Sequence, residues 1–126
     1  MKPEQLLKAK VTKEFRKRGC LVVPAEMLHC PGFPDLMVIR RGGCMLLEIK
    51  VLSGPRPWTK SLLRPDQYVF ALKCKEVDAR TYLFCQMGDE YVFGQTPDTP
   101  VSWDGCLKGS NDINAVFDFI DKEVLI

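Results

Sequence analysis

The sequence predicts an α/β (α+β) domain with a mixed central sheet flanked by helices. Three observations carry this. Helical periodicity opens and closes the chain, two near-continuous apolar runs meet at a glycine-rich turn, and a further helical segment separates those runs from later strand-like stretches.

The opening "KPEQLLKAKVTKEFRKRG" reads as a helix. Pro3 suits a first turn, Leu7, Val11 and Phe15 recur at helical spacing, and Gly19 follows a basic last turn. "CLVVP" (Cys20 to Pro24) is a short strand, and "AEMLHCPGFP" a loop leading into Asp35. "LMVI" and "CMLLEIKV" are separated by "RRGG", a hairpin signal in which Gly42 and Gly43 can take positive φ. Apolar runs of this kind imply burial on both faces, hence central places in the sheet.

"LSGPRPWTKSLL" (Leu52 to Leu63) is a cationic loop. "RPDQYVFALKCKEVD" follows as a helix with Pro65 in its first turn and Tyr68, Val69, Leu72 and Val77 on one side. "RTYLFCQM" and "EYVFGQ" flank Gly88 and Asp89 as a second hairpin, in which Tyr82 and Phe84 alternate with Leu83 and Cys85. "TPDTPVSWDGCLKGS" is a turn-rich connection. "NDINAVFDFIDKEVLI" is an amphipathic helix capped by Ser110 or Asn111, with Ile113, Val116, Phe117, Ile120 and Val124 inward.

The 126 residues, 46% apolar and 27% charged, fit one globular domain, expected to span 1–126. The net charge of +2 does not identify a nucleic-acid binder, but its placement is uneven. Residues 2–18 hold seven basic side chains against two acidic ones, a balance of +5 that leaves the rest of the chain at −3. Lys8, Lys13, Arg16 and Lys17 on the first helix, with Arg56, Trp58 and Lys60 in the cationic loop, are the candidate DNA-binding residues, the alternatives being a solvated helix face with cations near its negative end and an ordinary exposed loop. Six cysteines without a C-x-x-C pair, and with one histidine, fit buried reduced thiols better than a disulfide framework or zinc. No apolar run is long enough for a membrane span. His29 is read as an incidental loop residue, and Trp58 and Trp103 also fit a core.

The chemistry concentrates in "PDLMVIRRGGCMLLEIK" (Pro34 to Lys50). Glu48 and Lys50, two apart on a strand, share the face opposite Met45, Leu47 and Ile49. Charges set among apolar residues need partners: a second carboxylate, a metal ion or an anionic ligand. The turn brings Asp35 toward Glu48, and a hard divalent cation relieves the repulsion of two carboxylates by taking an oxygen from each. Mg²⁺, with Mn²⁺ as a substitute, suits such a set. Lys50 is then placed to orient or deprotonate a water, or to neutralise charge on a phosphoryl transition state. An edge-strand ion pair between Glu48 and Lys50, with Asp35 merely starting a turn, is the bland alternative.

Pro34-Asp35 followed by Glu48-Ile49-Lys50 resembles the signature of the PD-(D/E)xK nucleases. "GFPDLMVI", "LLEIK" and "LRPDQYVFALK" look most like the VRR-NUC branch, and more distantly like archaeal Holliday junction resolvases. The resemblance covers about residues 4–95 and leaves a C-terminal helical extension, about 110–126, without a counterpart. It implies a restriction-endonuclease-like core in which Asp35, Glu48 and the carbonyl of Ile49 bind the metal and Lys50 activates water. It also implies a first-helix glutamate, for which Glu4, on the stripe of Val11 and Phe15, precedes Glu14, and a glutamine on the following helix, Gln67. The loop from Leu52 to Leu63 is longer than the short connection the branch leads one to expect.

The expectation is thus a Mg²⁺-dependent DNA endonuclease, structure-selective for four-way junctions or flaps and homodimeric as the branch implies, located in the cytoplasm or on the nucleoid and not secreted. The alternatives are a nuclease-like module that binds DNA or protein without cutting, and a sequence-specific restriction subunit.

Overall fold

A computed structural model describes residues 2–27, 30–52, 63–97 and 105–125. The chain runs α1 (Pro3–Lys17), β1 (Leu21–Pro24), one 3₁₀ turn (Ala25–Met27), β2 (Leu36–Arg40), β3 (Gly43–Leu52), α2 (Pro65–Glu76), β4 (Thr81–Met87), β5 (Glu90–Gln95), β6 (Cys106–Ser110) and α3 (Ile113–Glu123). The strands form one six-stranded sheet in chain order. All neighbours are antiparallel except β3 and β4, which pair in parallel, as a connection through α2 requires. The mixed α+β sheet is the predicted one, and β3 lies inside it.

Two apolar layers hold the sheet. On one face Leu7, Val11 and Phe15 of α1 and Val116, Phe117 and Ile120 of α3 pack with Met45, Leu47, Ile49, Phe84 and Phe93. Phe117 meets Phe15 edge to face at 5.1 Å and lies 5.5 Å from Phe84, so α1 and α3 share one core. On the other face Tyr68 of α2 packs with Leu83, Cys85, Met87 and Val92. Period-two alternation along β4 divides these sets, with Tyr82 and Phe84 toward α1 and α3 and Leu83 and Cys85 toward α2.

Charges bind the first layer at its rim. Arg18 reaches Glu14 at 2.8 Å, Asp118 at 2.9 Å and Asp121 at 2.7 Å, while Arg40 meets Asp121 at 2.8 Å. Arg40 and Arg80 also donate to carbonyls at the end of α3, at Leu125 and Val124, where a helix leaves acceptors unpaired.

Several sequence expectations are corrected. Residues 106–110, read as part of a turn-rich connection, form the edge strand β6. On α2 the inward residues are Gln67, Tyr68, Ala71 and Cys74, whereas Val69, Leu72 and Val77 are exposed. Apolar residues lie on every side of this helix, so periodicity did not single out a face. The β2–β3 turn is a two-residue connection closed by Arg40 and Gly43, with positive φ at Arg41 and Gly42 and not at Gly43. The cap of α3 is Asp112, whose carboxylate accepts the Asn114 N–H at 3.0 Å, while Ser110 Oγ accepts the Asp112 N–H. All six cysteines are free thiols, but Cys30 and Cys44 are exposed.

α1 and α2 begin alike: Lys2-Pro3-Glu4-Gln5 and Arg64-Pro65-Asp66-Gln67. In each, proline occupies the first turn and the glutamine Oε1 accepts the backbone N–H of the residue before the proline, at 3.4 Å for Lys2 and 2.9 Å for Arg64.

Candidate metal centre

The β2–β3 register sets the site. Leu36 is the last β2 residue paired with β3, opposite Leu47, and the next step places Asp35 against Glu48. Asp35 Oδ2 accepts the backbone N–H of Ile49 at 2.8 Å, and its carbonyl accepts that of Ala25 at 2.8 Å. Asp35 is therefore tied on both sides, while among the described residues its second carboxylate oxygen accepts no backbone N–H.

α1 supplies the third carboxylate. Glu4 lies one turn before Leu7 on the stripe that Val11 and Phe15 continue, so burying the stripe carries Glu4 to the sheet. Glu4, Asp35 and Glu48 each offer a carboxylate oxygen within 4.8 Å of the others. Glu14 is bound instead to Arg18. The charge cost is felt at Glu48, only 4% exposed. Burial first, then the hydrogen bond to Asp35 and the negative charges of Asp35 and Glu4, push its carboxyl up to about 9, against the pull of Lys50.

Lys50 lies on the same face, two residues along β3, level with Cys85 of β4. Burial drives the Cys85 thiol far above its ordinary range, so a neutral thiol sits beside the ammonium. The Ile49 side chain points into the opposite core. Gln67 is buried, and its amide oxygen caps the Arg64 N–H.

The cluster fits a hard divalent cation. All three side chains present oxygen donors, neither thiol nor imidazole belongs to the group, and an unneutralised trio this close is costly.

Two clefts meet at Lys8 of α1, and one of them reaches the carboxylates at Asp35. One, of about 470 Å³, is lined by Asp35, Gly32 and Phe33 of the preceding loop, Lys8 of α1 and Arg64 and Asp66 at the start of α2. The other, of about 650 Å³, runs along α1 past Lys8, Lys13 and Arg16. Lys8 pairs with Glu26 at 3.4 Å, Arg16 donates to the Val22 carbonyl at 3.2 Å, and Lys17 is exposed. Arg56, Trp58 and Lys60, like His29 and Trp103, lie outside the described residues. Arg64, which the sequence analysis did not single out, lines the cleft that Asp35 enters.

No family model matches the chain, and no curated protein does. Among solved structures, the fold is similar to that of Hjc, a Holliday junction resolvase from the archaeal hyperthermophile Archaeoglobus fulgidus. The TM-score is 0.53 at 14% identity, covering 73% of this chain and 71% of the other. The chain therefore shares the fold of this resolvase over that span.

Proposed function

We propose that the chain is a divalent-metal-dependent DNA endonuclease of the PD-(D/E)xK type, cutting four-way junctions or flaps as a homodimer. The observation that carries this is the convergence of Glu4, Asp35 and Glu48 within 4.8 Å, beside Lys50 on one strand face. The resolvase-like fold supports the substrate class. The stretches "GFPDLMVI", "LLEIK" and "LRPDQYVFALK" support the VRR-NUC branch as the finer assignment.

Glu4, Asp35, Glu48 and the Ile49 carbonyl would hold Mg²⁺ or Mn²⁺. Bound there, the ion supplies Lewis-acid polarisation of the scissile phosphate and a water that is nucleophilic near neutral pH. The Asp35–Ile49 hydrogen bond fixes one ligand against the strand that carries another, so ligand positions are set before substrate arrives. Lys50 Nζ orients the attacking water and faces the phosphate oxygens as they gain charge. The water oxygen bonds to phosphorus in line with the departing ester oxygen and gives up a proton to solvent, while the P–O bond to that oxygen breaks and the departing oxygen takes up a proton from solvent. α1 and the cleft beside it hold the flanking backbone through Lys8, Lys13, Arg16 and Lys17.

The test is cleavage of labelled four-way junction, flap, linear duplex and single-stranded DNA with Mg²⁺ or Mn²⁺, comparing wild type with Lys50→Ala. Metal-dependent cutting of branched DNA that Lys50→Ala lowers by about 10²-fold or more is expected. Tight binding with no cutting of any substrate would replace this reading with a non-catalytic DNA-binding module.

A further inference from the structure

Apart from Arg41, exposed in the β2–β3 turn, the described arginines divide by what they hold. Arg16 is bonded to the Val22 carbonyl, Arg18 to three carboxylates, Arg40 to Asp121 and Leu125, and Arg80 to Val124. Each ties one element to another or to a neighbouring turn. Among the described residues, the Arg64 side chain makes only a 3.3 Å contact with Asp66, two residues away, and it is 66% exposed. Such a contact is worth little and is readily exchanged. Yet Arg64 lines the same cleft as Asp35 and Lys8.

The distance from Arg64 to the carboxylates is set by the fold. Gly32, at φ +77°, lies so close to the first turn of α2 that a Cβ would overlap the Asp66 carbonyl. Phe33 meets Phe70 of α2 edge to face at 5.2 Å. The loop that delivers Asp35 is thus pressed onto the helix that delivers Arg64.

We infer that Arg64 binds a non-scissile phosphate of the DNA strand being cut, in the cleft that Lys8 also lines, and so sets that strand's position against Asp35; this rests on the nuclease reading above. A guanidinium presents a planar fork that matches two phosphate oxygens, and a phosphate there exchanges a weak neighbour contact for a charge-assisted pair. The cleft is of a size that accepts a small ligand group, ~300–1,000 Å³. Glu26 and Asp66 already accompany Lys8 and Arg64, so an entering phosphate competes with carboxylates that can turn to solvent.

The experiment measures junction binding in Ca²⁺ across a salt series, and kcat and KM in Mg²⁺, for wild type, Arg64→Ala, Arg64→Lys, Asp35→Ala and Lys122→Ala. Lys122 lies in the last turn of α3 and controls for loss of a positive charge. Arg64→Ala should weaken binding and raise KM by about 5- to 20-fold with kcat within about twofold, and flatten the salt dependence by ~0.9 in log–log slope. Arg64→Lys should recover part of the affinity, and Lys122→Ala should match wild type. Wild-type cutting abolished by Asp35→Ala, with binding, KM and salt slope unchanged by Arg64→Ala, would overturn this inference alone. So would equal losses in Arg64→Ala and Lys122→Ala. A wild type that neither binds nor cuts would overturn the nuclease reading together with it.

Discussion

Asp35 Oδ2 accepts the backbone N–H of Ile49 at 2.8 Å, one residue beyond the point where β2 and β3 cease to pair. A side chain thereby continues the ladder that the backbone leaves, and brings a carboxylate against Glu48. Asp35→Asn keeps an oxygen acceptor but removes the charge, so folding stability should hold while cleavage falls by about 10²-fold or more. Asp35→Ala should in addition cost ~1 kcal/mol by stranding the N–H. Denaturant midpoints beside cleavage rates separate the two. Equal stability of Asn and Ala variants would show that the hydrogen bond contributes nothing.

Glu48 makes the metal-free protein sensitive to pH. Its carboxyl is raised by burial and then by Asp35 to about 9, whereas an unfolded glutamate titrates near ~4.3. Between these values the folded state holds more protons, so the Glu48 contribution, full below the unfolded value, is lost as pH rises toward about 9. Glu48→Gln removes that loss. In EDTA the variant's thermal midpoint should exceed wild type by an amount that grows from pH 5 to pH 9; parallel profiles would contradict this. Because the ion displaces the same proton, wild-type Mn²⁺ affinity should rise with pH by up to about tenfold per unit over this range.

Gly32→Ala should destabilise the fold by ~1–3 kcal/mol, because alanine is strained at φ +77° and its Cβ would meet backbone of α2. Cleavage should fall further than stability explains, since Asp35 follows on the same loop. A urea midpoint unchanged from wild type would mean that the loop does not press on α2.

Phe117→Ala should cost about 3–5 kcal/mol, because the ring fills the junction of α1, α3 and the sheet against Phe15 and Phe84. The consequence is specific to this fold: α1 carries Glu4, so loosening α3 should also weaken metal binding. A loss below about 1 kcal/mol would show that α3 is peripheral to the core.

How far the sequence disclosed all this depends on the residue. Glu4 was legible because burial of Leu7, Val11 and Phe15 fixes the azimuth of a residue one turn earlier. The Asp35–Glu48 approach was legible because a two-residue turn determines an antiparallel register. β6 was not, since "CLKGS" places its one large apolar residue, Leu107, outward and draws its pairing from β5. The inward face of α2 was hidden because Val69 and Leu72 compete with Tyr68, and only the sheet decides between them. The placement of Arg64 near Asp35 escaped because it depends on the loop 30–35, which Gly32 docks against the start of α2 through space.

The most direct measurement is Mn²⁺ binding, followed by electron paramagnetic resonance at pH 8, for wild type beside Glu4→Gln, Asp35→Asn and the distant control Glu14→Gln. Saturable binding by wild type and the Glu14 variant, weakened at least about tenfold in each of the other two, is the predicted result. Absence of saturable wild-type binding, or affinities equal in all four proteins, would contradict the claim that these carboxylates form a metal centre.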